Sequence, residues 1–355
     1  MPTHTRNSNI ELLRILAMLL IVAHHFATHG VLDGVVVTKA TTTTTLAQIL
    51  ISGGKFGVAL FIIITGYFLS TRPFKVRRIW PVMLAAMTYS IFFMVVHSIR
   101  MHAVPGPWYL AFGIFPVMFQ QYWFVTSYVL LILLSPMLNA FVASATHGQL
   151  RWMVGTLLMI SFILPMLVHT RLGDDETLRF VTLYLVGACL QTDALPWLVK
   201  HRYFVFGLNF AALPGSVILV NLIGNQLQSP QILSHALEFV GDTSPFAVIA
   251  AAALLAIGVN GKPHYYPRIN NLAGYMFGIY LIHDNAYVRP WLWHTTFHTE
   301  WLRTANPIFF IVISVLIISA VFIFSLLIEL GRAAIVEWIV SKFASWRHKP
   351  GAEAQ

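Results

Sequence analysis

RILAMLLIVAHH, Arg14 to His25, is the stretch that decides how this chain is read. It sits inside an apolar run, residues 10–29, that meets the yardstick of about 20 residues for crossing a bilayer as a helix. Arg14 and His25 are close to three helical turns apart, so their side chains fall on one stripe, about 16 Å apart along the axis. A cation and an imidazole in a segment otherwise built for lipid are costly, and such groups point to function by default. Their spacing also divides the work by depth. Arg14 stands near one membrane face, where a phosphate can reach it, and His25 near the other, where a proton can be moved.

Outward from this helix the whole chain has the same character. Its 355 residues are 57% hydrophobic and only 10% charged, with a mean hydropathy of +0.73. Soluble domains carry roughly 25% charged residues, so the composition implies a polytopic membrane protein. Apolar runs recur at about ten places on the same yardstick: 10–29, 52–70, 79–99, 122–144, 152–170, 178–192, 203–223, 232–258, 271–290 and 306–330. The sixth is short, and the eighth contains Glu238, Asp242 and Pro245. With the N-terminus inside, 14 of the 22 Lys and Arg fall on the cytoplasmic side and seven outside, Lys55 among them at the outer end of the second run. That bias follows the positive-inside rule and places both termini in the cytoplasm.

The fold expected is therefore an all-α, polytopic membrane helix bundle: one transmembrane domain over residues 1–335 and a short basic cytoplasmic tail, 336–355, lying on the membrane surface. The net charge of +9 reflects topology-setting residues beside apolar segments and does not imply nucleic acid. The apolar N-terminal stretch has no small-residue cleavage pattern of a signal peptide. The outer loops are expected to hold the run Thr41–Thr45, the stretch Val104–Trp108, the acidic patch Asp174, Asp175 and Glu176, and the aromatic stretch Trp291–Trp301. The single Cys189 excludes an intrachain disulfide.

Several segments occur in an order that resembles the acyltransferase 3 family of multi-pass membrane O-acyltransferases. They are Arg14-x10-His25, FGVALFIIITGYFLS (56–70), FKVRRIWP (74–81) and YLIH (280–283), and the likeness covers nearly the whole chain. The resemblance implies transfer of an acyl group, usually acetyl from cytoplasmic acetyl-CoA, to hydroxyls of cell-surface glycans or other envelope acceptors at the plasma membrane. It implies His25 as the catalytic histidine and Arg14 as its partner, with acyl-CoA as donor substrate and no permanently bound cofactor. In one place the chain departs from the family. An Arg-x-x-Arg motif after the second span is read here as Lys75-x-x-Arg78, with Arg77 beside it. Lys keeps the charge but loses the bidentate fork that Arg offers a phosphate.

O-acylation needs a base, a place for the thioester carbonyl and anchorage for the donor's phosphates. Neutral imidazole titrates close to working pH, which suits His25 to the first task. Arg14 cannot shed its charge, so burial demands an anion; the partner is either Glu11, one turn earlier, or the donor. Lys75, Arg77 and Arg78 are candidate ligands for the coenzyme's phosphates, and ordinary topology charges otherwise. His24 points about 100° away from His25 and is expected to hydrogen-bond a neighbouring helix. Gly66 is expected to let two helix backbones approach closely.

His283, Asp284 and Asn285 form an unusual polar cluster in the ninth run. His283 is the expected orienter of His25 or of the acceptor. Glu238 and Asp242, four apart and so on one helix face, are candidate ligands for sugar hydroxyls. Trp123, with Tyr122, can stack on a sugar or anchor at the interface. His25 and His29 have metal-ligand spacing, but no third ligand stands near them in sequence, so no metal is expected. His29-x3-Asp33 is read as a chance match, with the helix ending at Gly30. The competing class is a transporter or flippase for a glycan or lipid-linked sugar, which would be expected to show paired broken helices or inverted repeats.

Overall fold

The computed structural model describes residues 6–102, 104, 106–168 and 175–347, and side chains as far as residue 342. Arg171, Asp174, Pro105 and residues 348–355 of the expected tail lie outside the described residues. The first helix, α1 (Ser8–Phe26), runs without a break into a π-helical turn, Ala27–Val31. α2 (Thr42–Leu69) and α3 (Ile79–Met101) follow, with a 3-10 turn at Val76–Arg78 before α3. α4 (Pro107–Ile114), α5 (Trp123–Ser144), α6 (His147–Leu158), α7 (Leu164–Val168), α8 (Glu176–Gln191) and α9 (Pro196–Lys200) lead to α10 (Arg202–Gln226). Next come α11 (Pro230–Ser234), α12 (Pro245–Asn260), α13 (Pro267–Ala273), α14 (Met276–His283) and the single turn α15 (Val288–Pro290). A π-helical turn (Trp291–Thr296) and a 3-10 turn (Thr299–Thr304) then precede α16 (Pro307–Arg347).

Among the described residues there is no strand, and seven helical stretches are long and apolar enough to cross a membrane. They match seven of the expected runs. The other three runs are shorter helices, and each has a physical reason. α8 has 16 residues, about 24 Å of helix against roughly 30 Å of hydrocarbon. It is buried from Phe180 to Leu190 almost without interruption, so its neighbours shield it. α12 starts only at Pro245, where Ser244 caps it by accepting from the Ala247 amide. Glu238 and Asp242 therefore sit in turns before the helix and do not share a helix face. The ninth run is interrupted at Gly274–Tyr275 and again after His283.

Other boundaries also move. α2 begins ten residues before the expected start, because Thr41 and Thr44 form a reciprocal capping box. The threonine run is thus a helix start, and Lys55 lies near the middle of a 28-residue helix instead of at its outer end. Its charge is met by an ion pair with Asp242 and by the ring of Trp123, 4.7 Å from Nζ to centroid. Asp175 is the N-cap of α8, while Glu176 pairs with Arg179. α16 continues through residue 336, where a separate tail was expected, as far as Arg347.

α2 packs against α1, α8 and α12 and forms the centre of the bundle. Gly66 and Gly187 permit the contact with α8. A Cβ at Gly66 would stand 2.1 Å from the Tyr184 carbonyl oxygen, and one at Gly187 2.1 Å from that of Ile63. Small residues at such crossings let backbones touch. Two apolar cores result, one around α2, α8 and α12, the other around α1, α3, α14 and α16.

Candidate active site

His25 occupies the last turn of α1 and is only 7% exposed. The helix continues beyond it as a π-helical turn, a feature that recurs at functional sites, and does not end at Gly30. This turn brings the His29 ring to 5.2 Å from that of His25, centroid to centroid. His24 points elsewhere, its Nδ1 2.7 Å from the Ile51 carbonyl on α2, in the structural role expected for it.

His283 is the last residue of α14, and its Nε2 lies 2.9 Å from His25 Nδ1. Its own Nδ1 lies 2.6 Å from the Ile279 carbonyl oxygen. A carbonyl only accepts, so His283 carries its proton on Nδ1 and its Nε2 is an acceptor. His25 must then donate from Nδ1. In the neutral pair this places the lone pair of His25 on Nε2, the form a general base requires.

The break in the ninth run explains how two consecutive residues reach one partner. Helical geometry would send His283 and Asp284 in different directions. Because α14 stops at His283, the Asp284 carboxylate also approaches His25, with Oδ1 3.7 Å from Nδ1. Asn285 braces the turn: it donates to the Tyr122 hydroxyl at 2.6 Å, and Tyr122 donates in turn to the Leu281 carbonyl at 3.0 Å. Arg289 holds Asp284 by an ion pair at 2.9 Å and also donates to its carbonyl. In sequence Arg289 reads only as an outer topology charge; its six-residue distance from His283, across a helix break, is the one signal it offers.

His25, His29 and Asp284 place donor atoms within 4.8 Å of one another. Folding thus supplies the third ligand that the sequence lacked for a metal. Zinc bonds of about 2.0–2.2 Å need a tighter set than this, and Arg289 already supplies the positive charge beside Asp284.

Arg14 pairs with Glu11 through two oxygens at 2.9 Å and remains 29% exposed along its side chain. Glu11 is thus the anion the structure shows beside it, and Arg14 also lines a cavity of about 280 Å³ that extends to His25. Val58 and Thr65 of α2, Phe124 and Tyr128 of α5, and Phe277 of α14 contribute its walls. Ligand pockets run from about 300 to 1,000 Å³, so this one suits a thin arm and not a whole nucleotide. Arg78 donates to the Pro73 carbonyl at 3.0 Å, while Lys75, just before the 3-10 turn, and Arg77 within it are exposed.

Of the three candidate acceptor ligands, only Trp123 lines this cavity. Asp242 is engaged by Lys55 in a separate nook of about 20 Å³, room for one water and too small for a sugar. Glu238 lies 3.6 Å from His235. The structure thus brings together Arg14, His25, His283 and Trp123 and leaves Glu238 and Asp242 apart.

Comparison with known families gives one match. The profile described as an acyltransferase domain aligns with residues 7–327, which include every residue of this cluster. No curated protein and no solved structure matches the chain.

Proposed function

Because the chain belongs to the acyltransferase domain family, we propose that it transfers an acyl group, acetyl in the first instance, from cytoplasmic acyl-CoA to a hydroxyl of a cell-surface carbohydrate or other envelope acceptor. The observation that carries this reading is the contact of His25 Nδ1 with His283 Nε2 at 2.9 Å, which assigns a free Nε2 to His25, in a cavity that Arg14 also lines. In this account both termini are cytoplasmic and the membrane is the plasma membrane, in line with the charge bias of the loops. Arg14 and Arg78, with Lys75 and Arg77 outside them, hold the phosphates of the donor, and its pantetheine arm threads the cavity toward His25.

The chemistry follows from the pair. The acceptor hydroxyl gives its proton to His25 Nε2 while its oxygen attacks the thioester carbonyl carbon. As the tetrahedral intermediate collapses the C–S bond breaks, and the departing sulfur takes the proton from Nε2 to leave as the CoA thiol. While His25 is an imidazolium, Asp284 at 3.7 Å faces its charge, and Arg289 keeps that carboxylate in place. Trp123 stacks on the acceptor or shapes the cavity wall beside it.

The test is a split between binding and turnover in purified protein. Arg14→Gln is expected to raise the KM for acetyl-CoA. His25→Gln is expected to bind acetyl-CoA normally and release no thiol to an acceptor. Thiol release unaffected by His25→Gln would overturn the role of base. Movement of a labelled saccharide with no thioester cleavage would favour the transporter class instead.

A further inference from the structure

Two side chains, Val58 of α2 and Trp123 at the start of α5, line both the cavity shared by Arg14 and His25 and the nook of about 20 Å³ around Lys55 and Asp242. They form the partition between the two spaces. Its height in the bundle follows from the antiparallel contact of α1 with α2. A Cβ at Gly54 would collide with the His24 ring, and one at Gly57 would stand 2.6 Å from the Ala17 carbonyl oxygen. Lys55 and Val58 are therefore level with the stretch of α1 that leads to His25. Arg14, by contrast, lies near Phe68 at the other end of α2, 5.9 Å from guanidinium carbon to ring centroid. The partition thus bounds the cavity at its His25 end.

The Trp123 ring is held by its neighbours. Lys55 Nζ, itself paired with Asp242, lies 4.7 Å from the ring centroid, and Phe180 of α8 meets the ring edge-on at 6.1 Å. Cation–π and edge-to-face contacts both depend on the orientation of the ring, so together they fix its plane. Behind the indole the nook is walled in part by Ala59, Ala247 and Val248, all small and buried. Removing the indole would join the nook to the cavity and open an apolar extension beyond His25.

We propose that Trp123, with Val58 beside it, sets the length of the acyl group: the donors are short acyl-CoAs, acetyl and propionyl, and longer chains are refused. The inference rests on the acyltransferase reading. A donor with its phosphates at the Arg14 end brings its thioester to His25 with the arm behind it, so each carbon beyond the carbonyl is pressed against the indole. A packed wall does not take extra methylenes without displacing a side chain. Lys55 is then a positioning residue, whose charge keeps the ring across the end of the cavity. That role gives a use to a cation sunk in the middle of an apolar helix.

The experiment measures binding and thiol release for acetyl-, propionyl-, butyryl- and hexanoyl-CoA, with the full-length protein in nanodiscs and an envelope extract as acceptor. The intact protein is expected to favour acetyl-CoA over butyryl-CoA by at least about tenfold, the discrimination one methylene gives in an apolar pocket. Trp123→Ala is expected to bring butyryl-CoA level with acetyl-CoA or above it. Val58→Ala, a milder truncation of the same partition, is expected to raise propionyl- against acetyl-CoA several-fold, and it keeps the test open if Trp123→Ala does not fold. Lys55→Met is expected to relax the chain-length preference by freeing the ring. An unchanged preference in Val58→Ala and Trp123→Ala, or a raised KM for the acceptor with no change in chain length, would overturn the proposal. Binding that keeps the chain-length order and its inversion, with no thiol released from any donor, would instead count against the acyltransferase reading.

Discussion

Replacing His283 by alanine removes the acceptor that fixes the proton of His25. In the intact protein His25 Nδ1–H donates to His283 Nε2 at 2.9 Å, in a site where both residues are buried. Without that acceptor the N–H is left unsatisfied, a penalty of about 1–3 kcal/mol. The ring escapes the penalty by shifting its proton to Nε2, and then no lone pair faces the acceptor hydroxyl. At 1.36 kcal/mol per tenfold, the expected loss in kcat is roughly 5- to 160-fold. This lies below the roughly 10⁴-fold cost of a wrong tautomer in the serine protease triad, because Asp284, 3.7 Å from Nδ1, remains as a poorer partner. The assay is thiol release from acetyl-CoA by purified protein with an acceptor extract, measured against donor concentration. His283→Ala should lower kcat with little change in the KM for acetyl-CoA, since His283 does not line the cavity shared by Arg14 and His25. His283→Gln, whose amide oxygen can accept from Nδ1–H, should recover most of the rate. Full activity in His283→Ala, or equal losses in both variants, would refute the reasoning.

Three further outcomes follow from the geometry. Arg78→Ala should raise the apparent KM for the donor with little change in kcat, the pattern of lost uniform binding, and a pure kcat effect would count against phosphate anchorage there. Gly66→Ala forces a methyl to 2.1 Å from the Tyr184 carbonyl and should destabilise the α2–α8 contact by about 1–3 kcal/mol, read as a lower melting temperature in detergent. Outside the spans, His294 bridges Glu300 and Asp33, and the bond to Glu300 raises its pKa above the ordinary 6.5. A raised folded-state pKa stabilises fully below the unfolded value and is lost as pH rises through the folded one. His294→Ala should therefore lower the melting temperature at pH 6 and leave it nearly unchanged at pH 9; with its side chain 35% exposed, the effect should stay below about 1 kcal/mol.

How far the sequence reaches is visible residue by residue. The Arg14–His25 stripe depends only on helical periodicity within one segment, and the folded chain lines a single cavity with both. His283 stood out for a similar reason, as a polar group in an apolar run. Lys55 was misplaced because a charge in such a run is costly, and the cost is met by Asp242, a partner far away in sequence. The same distance hid Asp242 itself, which looked available for a sugar on a helix face that does not form. Asp284 and Arg289 act together only because the ninth run breaks after His283, and that break is held by Asn285 and Tyr122 across the bundle. Apolar runs reveal where helices can lie; where they stop is set by tertiary partners.

The central claim, that His25 moves the proton of an acyl transfer, is tested most directly by radiolabelled acetyl-CoA given to membranes bearing the intact protein or His25→Ala at matched expression. The account predicts label in envelope material with the intact protein alone. Equal label in both membranes would contradict it.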